Sequence, residues 1–140
     1  MINEYFILCV GNSARSQIAE GLAKEMLGSK YVIKSAGSKP SGNVHPNAVL
    51  TMNEIGIDIS DQFSKSIDDL DEDFINNLDF VITLCSEEVC PVLNNDAKKI
   101  HWMNEDPVNE KFSDIQSRIA FTKVRDNLYN LIKKFFILNI

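Results

Sequence analysis

The first cysteine of the chain stands six positions before an arginine, in the stretch CVGNSARS at residues 9–16. Gly11 and Asn12 tolerate positive φ angles better than most residues, so they suit a tightly curled loop. Successive backbone N–H groups of such a loop point inward and bind an anion. Arg15 adds a permanently charged guanidinium that binds a tetrahedral oxyanion through two parallel hydrogen bonds. The predicted oxyanion-binding residues are Gly11, Asn12, Ser13, Ala14, Arg15 and Ser16.

Cys9 begins this stretch, and the positive groups that follow it are expected to lower the pKa of its thiol. Comparable sites reach a pKa of about 3.5–7.5, and the Ser16 hydroxyl can donate a further hydrogen bond to the sulfur. We therefore predict that Cys9 is a thiolate nucleophile at neutral pH. The stretch matches neither G-x-G-x-x-G nor the Gly-Lys-Ser/Thr of nucleotide-binding loops. The alternative interpretation is a plain strand–turn–helix junction with a buried cysteine and an exposed arginine.

The other two thiols, Cys85 and Cys90, flank the four residues SEEV. On one helix they would differ by about 7.5 Å of rise and about 140° of rotation, whereas a disulfide needs Cα atoms within about 6.8 Å. A bond between them therefore requires their segment to unwind or change shape. The spacing is too long for a typical zinc-knuckle cysteine pair, and the chain has no second pair. We predict a redox pair and no metal site.

Short apolar segments alternate with helical patterns along the chain. Strands are expected at 5–10, 31–35, 80–84 and 99–102, and helices at 14–27 and 45–55, with a short acidic surface helix within 66–77 and a last helix from Ser113. This alternation predicts an α/β fold, a four-stranded parallel sheet with helices on both faces in a Rossmann-like three-layer arrangement. No linker or repeat divides residues 1–140, so we expect a single domain. Ligands bind beyond the carboxyl ends of such strands, where Cys9, Ser35 and Cys85 fall.

Helical periodicity predicts which side chains face the core. In the second helix the inward residues are expected to be Val49, Met52 and Ile55. In the last helix, which begins with the capping-box pattern SDIQ, they are expected to be Ile115, Ile119, Val124, Leu128, Leu131 and Phe135.

The composition narrows the class of protein. The chain has 140 residues, 44% hydrophobic and 24% charged, as in soluble globular proteins. Its formal net charge of −6 argues against a general affinity for nucleic acid or an anionic membrane, so an anionic substrate would need a local positive site. The apolar runs at both ends are too short for a signal peptide or a membrane span. We expect a cytoplasmic monomer with free thiols.

Five stretches together resemble a known family. They are CVGNSARSQIAEG, KSAGSKP, HPNAVLTMNEIGIDIS, VITLCSEEVCP and HWMNEDP. In this order they are similar to the low-molecular-weight protein tyrosine phosphatases, and still more to the thioredoxin-coupled arsenate reductases built on the same fold. The similarity covers roughly residues 4–110 and, more weakly, the final helix.

The resemblance implies a sequence of thiol reactions. Cys9 attacks arsenate, Cys85 then attacks Cys9 so that arsenite leaves, and Cys90 attacks Cys85 to give a disulfide that thioredoxin reduces. Asp106, followed by Pro107, matches the general acid of the family, with Glu105 as the nearest competitor. A lone Asp-Pro pair is otherwise a simple turn. No bound organic cofactor is implied, and the spacing of Cys85 and Cys90 is shorter than is usual in the family.

Four further residues match a potassium site that some of these reductases have near the anion-binding loop. Asn12, Glu20 and Ser35 match ligands, but Lys65 occupies the position of the usual acidic partner. A cation there repels potassium and can take over its electrostatic role. We therefore expect no dependence on potassium. The alternative is that Lys65 is a solvated surface lysine.

Two other functions stay open. A low-molecular-weight protein tyrosine phosphatase or small phosphomonoesterase would use Cys9, Arg15 and Asp106 alone. However, Val108 and Asn109 follow the Asp-Pro pair, where phosphatases of the family have aromatic residues. A weak side activity on aryl phosphates is expected in either case. The third possibility is a non-enzymatic oxyanion-binding or thiol-redox sensor.

Overall fold

The computed structural model describes residues 3–8, 14–37, 40–84 and 97–138, with residues 3–8 described by their backbone alone. The strands are β1 (Asn3–Leu8), β2 (Tyr31–Ala36), β3 (Phe80–Thr83) and β4 (Lys98–His101). The helices are α1 (Arg15–Leu27), α2 (Pro46–Asn53), α3 (Glu72–Asn76) and α4 (Asp114–Ile132). Short 3₁₀ turns span Gly28–Lys30 and Ile67–Asp69, and α4 continues into a π-helical turn, Lys133–Ile137.

The strands lie parallel to one another in the order β2-β1-β3-β4. Because they are parallel, their carboxyl ends meet at one edge of the sheet. There, Leu8 of β1 pairs with Ala36 of β2 on one side and with Thr83 of β3 on the other. The α/β class that the alternating pattern predicts is confirmed.

The sheet is covered on both faces, as adjacent residues of β3 illustrate. Ile82 packs into a large cluster with side chains of α1, α2 and α4. Val81 packs on the opposite face with Phe74 of α3 and with Leu78. A strand that is buried on both faces needs a continuous run of apolar residues, and the sequence FVIT of β3 provides one.

Local signals in the sequence set the ends of the helices. Gly28 ends α1 with a φ of 69°, in the left-handed region that glycine adopts at little cost. Pro46 stands at the start of α2, where its missing N–H is not needed. Ser113 and Gln116 form the predicted capping box at the start of α4, which is confirmed.

Three of the predicted inward residues are wrong. Ile55 is 42% exposed because α2 ends at Asn53 and the chain turns away. Ile115 and Ile119 are 72% and 55% exposed. The buried residues of α4 are Phe121, Val124, Leu128 and Ile132. At 100° per residue, Ile119 lies about 160° from Phe121 around the helix, so the prediction had combined two opposite faces of α4.

None of the helices among the described residues is both long enough and apolar enough to cross a bilayer.

Candidate active site

The three cysteines lie outside the described residues, as do Gly11, Asn12 and Ser13, so what the sequence predicts of them stays a prediction. The described strands that lead to two of these cysteines end side by side. β1 ends at Leu8, directly before Cys9 in the sequence, and β3 ends at Thr83, two residues before Cys85. Leu8 and Thr83 are paired in the sheet.

Arg15, the predicted anion-binding arginine, begins α1 and is only 4% exposed. Its Nη1 donates a buried hydrogen bond of 2.9 Å to the main-chain oxygen of Asn104. Its Nη2 lies 4.0 Å from Oδ2 of Asp106. The structure therefore brings together two of the predicted catalytic residues, and the interpretation of Arg15 as an exposed residue is wrong.

The two carboxyl oxygens of Asp106 have different surroundings: Oδ1 is held by the backbone, and Oδ2 faces Arg15. Its Oδ1 accepts a hydrogen bond of 3.0 Å from the backbone N–H of Val108, which fixes the carboxyl in a local turn. Its side chain is 42% exposed and directs Oδ2 toward Arg15. Glu105, the competing acid, is also exposed, but the ion pair with Arg15 is made by Asp106. A carboxyl beside a buried guanidinium can exchange a proton with an oxyanion held there.

The first turn of α1 supplies further donors. Ala14 is the N-cap residue and, having no side-chain acceptor, makes no capping hydrogen bond. The first N–H groups of a helix have no partner within the helix, and the helix dipole makes this end positive. Ala14 and Ser16 are both buried. A bound oxyanion can accept hydrogen bonds from these groups.

Asn104 is a residue of this site that the sequence analysis missed. It is 5% exposed, and its carbonyl is the acceptor for Arg15. It lies in the stretch HWMNEDP, yet an asparagine between an expected strand and an aspartate is ordinary in a turn. Its burial depends on how the segment after β4 packs against α4, which no local pattern encodes.

Glu20 forms the centre of a second buried cluster. It is 3% exposed, and its Oε1 accepts hydrogen bonds from the backbone N–H of Ser35 at 2.9 Å and from the Ser35 hydroxyl at 2.5 Å. Its Oε2 pairs with Lys24, one turn further along α1, at 2.6 Å. These contacts tie α1 to the carboxyl end of β2.

Lys65 belongs to the same cluster. Its Nζ lies 3.5 Å from Oε1 of Glu20, and the residue is only 8% exposed, so the alternative that Lys65 is a solvated surface lysine is wrong. Burial lowers the pKa of Lys65, and the neighbouring Glu20 carboxylate raises it by a smaller amount. The cluster thus contains an internal cation provided by the chain itself.

The segment that carries Lys65 is held against both β2 and α1. Gly37, which follows β2, donates its N–H to the Lys65 carbonyl at 3.0 Å. The Gln17 side chain donates to the carbonyl of Phe63 at 3.0 Å, and the Gln62 side chain bonds back to Gln17 at 2.8 Å. The two glutamine bonds join residues 46 and 45 positions apart, and together with the Gly37 bond they hold the Lys65 backbone close to Glu20.

The start of α2 approaches the segment that carries Asp106. His45 is the N-cap of α2 and accepts a hydrogen bond from the N–H of Asn47 through Nδ1. Its ring packs against Phe121 of α4, with the ring centroids 4.8 Å apart. Burial lowers the pKa of His45, and the charge of Asp106 opposes that shift.

A cavity of about 500 Å³ lies between residues 103–112 and α4, and Asp106 is among its lining residues. Much of the rest of the lining is apolar, including Phe112, Ile119 and Val124. Asp106, the predicted acid, therefore borders a pocket with room for a group larger than an inorganic oxyanion.

Comparison with known proteins decides the family. The sequence profile described as "Low molecular weight phosphotyrosine protein phosphatase" matches residues 5–137. The chain belongs to this family. An arsenate reductase of Bacillus subtilis is 42% identical over 132 residues, which is 93% of this chain and 92% of that protein. The resemblance found in the sequence motifs is confirmed.

Solved structures agree with the sequence relatives. A structure titled as an arsenate reductase in the phosphate binding state covers 96% of both chains, with a TM-score of 0.76 and 33% identity. A thioredoxin-dependent arsenate reductase of Corynebacterium glutamicum has a TM-score of 0.69 and 29% identity, covering 95% of this chain and 61% of that one. Both solved structures therefore share the fold of this chain, and both are named arsenate reductases.

Proposed function

We propose that this chain reduces arsenate to arsenite with its own three thiols and is recycled by thioredoxin. The observation that carries the proposal is the buried guanidinium of Arg15 at the start of α1, 4.0 Å from the Asp106 carboxyl. This pair provides a guanidinium that can bind an oxyanion and a carboxyl that can donate a proton, and Arg15 stands six positions after Cys9 in the sequence. The relatives named arsenate reductase support arsenate as the substrate.

In the proposed first step, the Cys9 thiolate attacks arsenic while Arg15 and the N–H groups of the oxyanion-binding loop hold the other oxygens. Asp106 donates a proton to the departing oxygen, which leaves as water. The product is a covalent sulfur–arsenic adduct in which arsenic is still pentavalent. Arg15 stabilises the negative charge on the remaining oxygens, because its guanidinium is buried and already oriented.

In the second step, the Cys85 thiolate attacks the Cys9 sulfur. The electron pair of the sulfur–arsenic bond stays on arsenic, which leaves as trivalent arsenite, and a Cys9–Cys85 disulfide remains. The Cys90 thiolate then attacks the Cys85 sulfur, which releases Cys9 as a thiolate and forms a Cys85–Cys90 disulfide. A dithiol of thioredoxin reduces that disulfide, in keeping with the relative titled thioredoxin-dependent.

The test is arsenite formation coupled to thioredoxin, thioredoxin reductase and NADPH. The wild-type chain is expected to turn over repeatedly, and Cys9→Ser to be inactive. Cys85→Ser and Cys90→Ser are expected to lose turnover, because each removes a thiol that the cascade requires. A Cys85–Cys90 disulfide found by mass spectrometry after one turnover would support the cascade, and a wild-type chain that forms no arsenite would overturn it.

A second candidate activity is hydrolysis of aryl phosphates by Cys9, Arg15 and Asp106. It is favoured by the family profile and by the cavity beside Asp106. Hydrolysis needs neither Cys85 nor Cys90, so serine variants at those positions are expected to keep it while losing arsenate reduction. Loss of both activities in a folded variant would show that the thiols do not divide the work in this way.

We also propose that the Lys65 ammonium takes the place of a potassium ion. Its support is the 3.5 Å separation of Lys65 Nζ from Glu20 and the burial of both residues. Turnover and melting temperature are expected to be the same in KCl and LiCl at equal ionic strength. A several-fold gain in turnover specific to KCl would contradict the proposal.

We also propose a domain arrangement, a cellular location, an oligomeric state and a protein partner for this chain. The four parallel strands and their covering helices are proposed to form one three-layer domain over residues 1–140, in keeping with the family match from 5 to 137. A thiol cascade needs a reducing compartment, so we propose a cytoplasmic location. We propose a monomer that binds no organic cofactor, nucleic acid or membrane, with thioredoxin as its protein partner.

A further inference from the structure

Asn104 connects the anion-binding arginine with three other parts of the fold. Each of its four polar groups has a partner among the described residues. The carbonyl accepts from Arg15 at 2.9 Å, and the backbone N–H donates to the carbonyl of Leu84 at 3.2 Å. The side-chain Nδ2 donates to the Trp102 carbonyl at 3.1 Å, and Oδ1 accepts from Asn127 of α4 at 2.8 Å.

The two side-chain bonds determine where the carbonyl points. A backbone carbonyl is present in every residue, so the bond to Arg15 does not itself require asparagine. However, the orientation of that carbonyl depends on the backbone of residue 104, which the side chain anchors to Trp102 on one side and to Asn127 on the other. Asn104 is buried, so the loss of these bonds leaves polar groups without compensation by water.

The position of Asn104 affects both predicted functional groups of the site, the Arg15 guanidinium and the Asp106 carboxyl. Nη1 of Arg15 donates its hydrogen bond to the Asn104 carbonyl. This bond fixes the plane of the guanidinium and therefore the direction of its other N–H groups. Asp106 follows Asn104 by two residues and faces Nη2 of the same arginine at 4.0 Å. A shift of residue 104 would therefore change the position of the Arg15 guanidinium relative to the Asp106 carboxyl.

We propose that Asn104 is a positioning residue, held by Asn127 of α4, that orients Arg15 and Asp106 for oxyanion binding. The inference rests on the proposed function, because it assigns Arg15 to an oxyanion such as arsenate or phosphate. It adds a contribution from α4, a helix otherwise outside the motifs that carry the chemistry. Asn104 does not touch the reacting atoms in this role and acts through Arg15.

The test compares Asn104→Ala and Asn127→Ala with Asn130→Ala, an exposed asparagine on the same helix that serves as the matched control. The readouts are the dissociation constant of inorganic phosphate by calorimetry, the KM and kcat for arsenate, and the melting temperature. Asn104→Ala is expected to weaken phosphate binding about tenfold, the effect of losing one ordinary hydrogen bond. Asn127→Ala is expected to weaken it severalfold, and Asn130→Ala to leave it unchanged.

The double variant Asn104→Ala/Asn127→Ala is expected to bind phosphate as weakly as Asn104→Ala alone, because both changes remove the same hydrogen bond between residues 104 and 127. The KM for arsenate is expected to rise with the phosphate dissociation constant. A merely structural role predicts that Asn104→Ala and Asn127→Ala lower the melting temperature but bind phosphate within twofold of the wild type. That result would overturn the inference. Because Asn127 is exposed, its variant tests the proposal even if Asn104→Ala does not fold.

Phosphate binding separates this inference from the proposed function. It requires neither Cys85, Cys90 nor thioredoxin, so it is measured independently of arsenate reduction. A wild-type chain that binds phosphate but forms no arsenite contradicts the proposed function alone. Variants at 104 and 127 that reduce arsenate and bind phosphate like the wild type contradict the positioning role alone.

Discussion

The buried pair of Glu20 and Lys65 allows a quantitative prediction from a double-mutant cycle. The perturbations are Glu20→Gln and Lys65→Met, made singly and together. The side chains are 4% and 9% exposed, and Lys65 Nζ lies 3.5 Å from Oε1 of Glu20. At an effective dielectric constant of about 20, opposite unit charges at this distance attract by about 4–5 kcal/mol. Contacts of Glu20 with Lys24 and Ser35 share that carboxylate, so we expect a coupling of about 2–4 kcal/mol.

The assay is urea unfolding of the four proteins at neutral pH. Glu20→Gln leaves the Lys65 ammonium in the core without the Glu20 carboxylate, so this variant is expected to lose about 3–5 kcal/mol. Lys65→Met is expected to lose less, because Glu20 still pairs with Lys24. The double variant is expected to lose much less than the sum of the two. A coupling below about 0.5 kcal/mol would contradict this prediction, because a buried ion pair at this separation is so weak only if water reaches it.

The pH dependence of the same pair gives an independent check. Burial lowers the pKa of Lys65 below its ordinary value of 10.5, and Glu20 opposes the shift. Between the folded-state pKa and 10.5, the unfolded chain binds more protons than the folded one, so rising pH favours the folded state at this residue. The wild type is therefore expected to gain stability relative to Lys65→Met across that window. The coupling with Glu20 is expected to fall there, because the ammonium loses its charge. The pair of Arg125 and Asp126 serves as a control, because the Asp126 side chain is 61% exposed, and its coupling is expected to be below about 1 kcal/mol.

Three further predictions concern the core, a pH-sensitive cap and the acid. A Cβ added at Gly21 of α1 would lie 2.6 Å from Cγ2 of Ile59, so Gly21→Ala is expected to destabilise the fold by about 1–2 kcal/mol in urea unfolding, since overpacking exceeds the gain in helix propensity. A gain in stability would mean that Ile59 yields. His45→Asn keeps the N-cap acceptor of α2. Because burial lowers the pKa of His45 below 6.5, the wild type should lose stability relative to this variant as pH falls from 6.5 to the folded-state pKa. The prediction would be contradicted if the free energy of unfolding changed by the same amount in the wild type and in His45→Asn between about pH 7.5 and about pH 5. Asp106→Asn is expected to lower kcat for arsenate about 10²–10⁴-fold with Cys9 alkylation retained, and wild-type turnover in the variant would exclude Asp106 as the acid.

Much of the fold could be predicted because its signals are local. The continuous apolar run of β3, the capping box of α4 and the glycine that ends α1 each act within a few residues, and each is found where expected. The predictions that fail depend on how far an element extends and on which face it packs. Ile55 lies beyond the end of α2, and Ile115 and Ile119 lie on the solvent side of α4. Periodicity alone did not separate the two faces of that helix.

The α/β class and the family follow from the amino-acid sequence alone, because short patterns with a chemical reason carry them. The sequence also predicts Arg15 and Asp106 as functional residues. Which polar residues are buried, and what they contact, depends on the packing of the whole fold. Lys65 reaches Glu20 across 45 positions, and Arg15 reaches Asn104 across 89. Burial turns the first contact into an internal ion pair and the second into an anchor for the guanidinium. Such roles arise from desolvation at a specific place in the fold, and a residue's type and neighbours in the chain do not specify it.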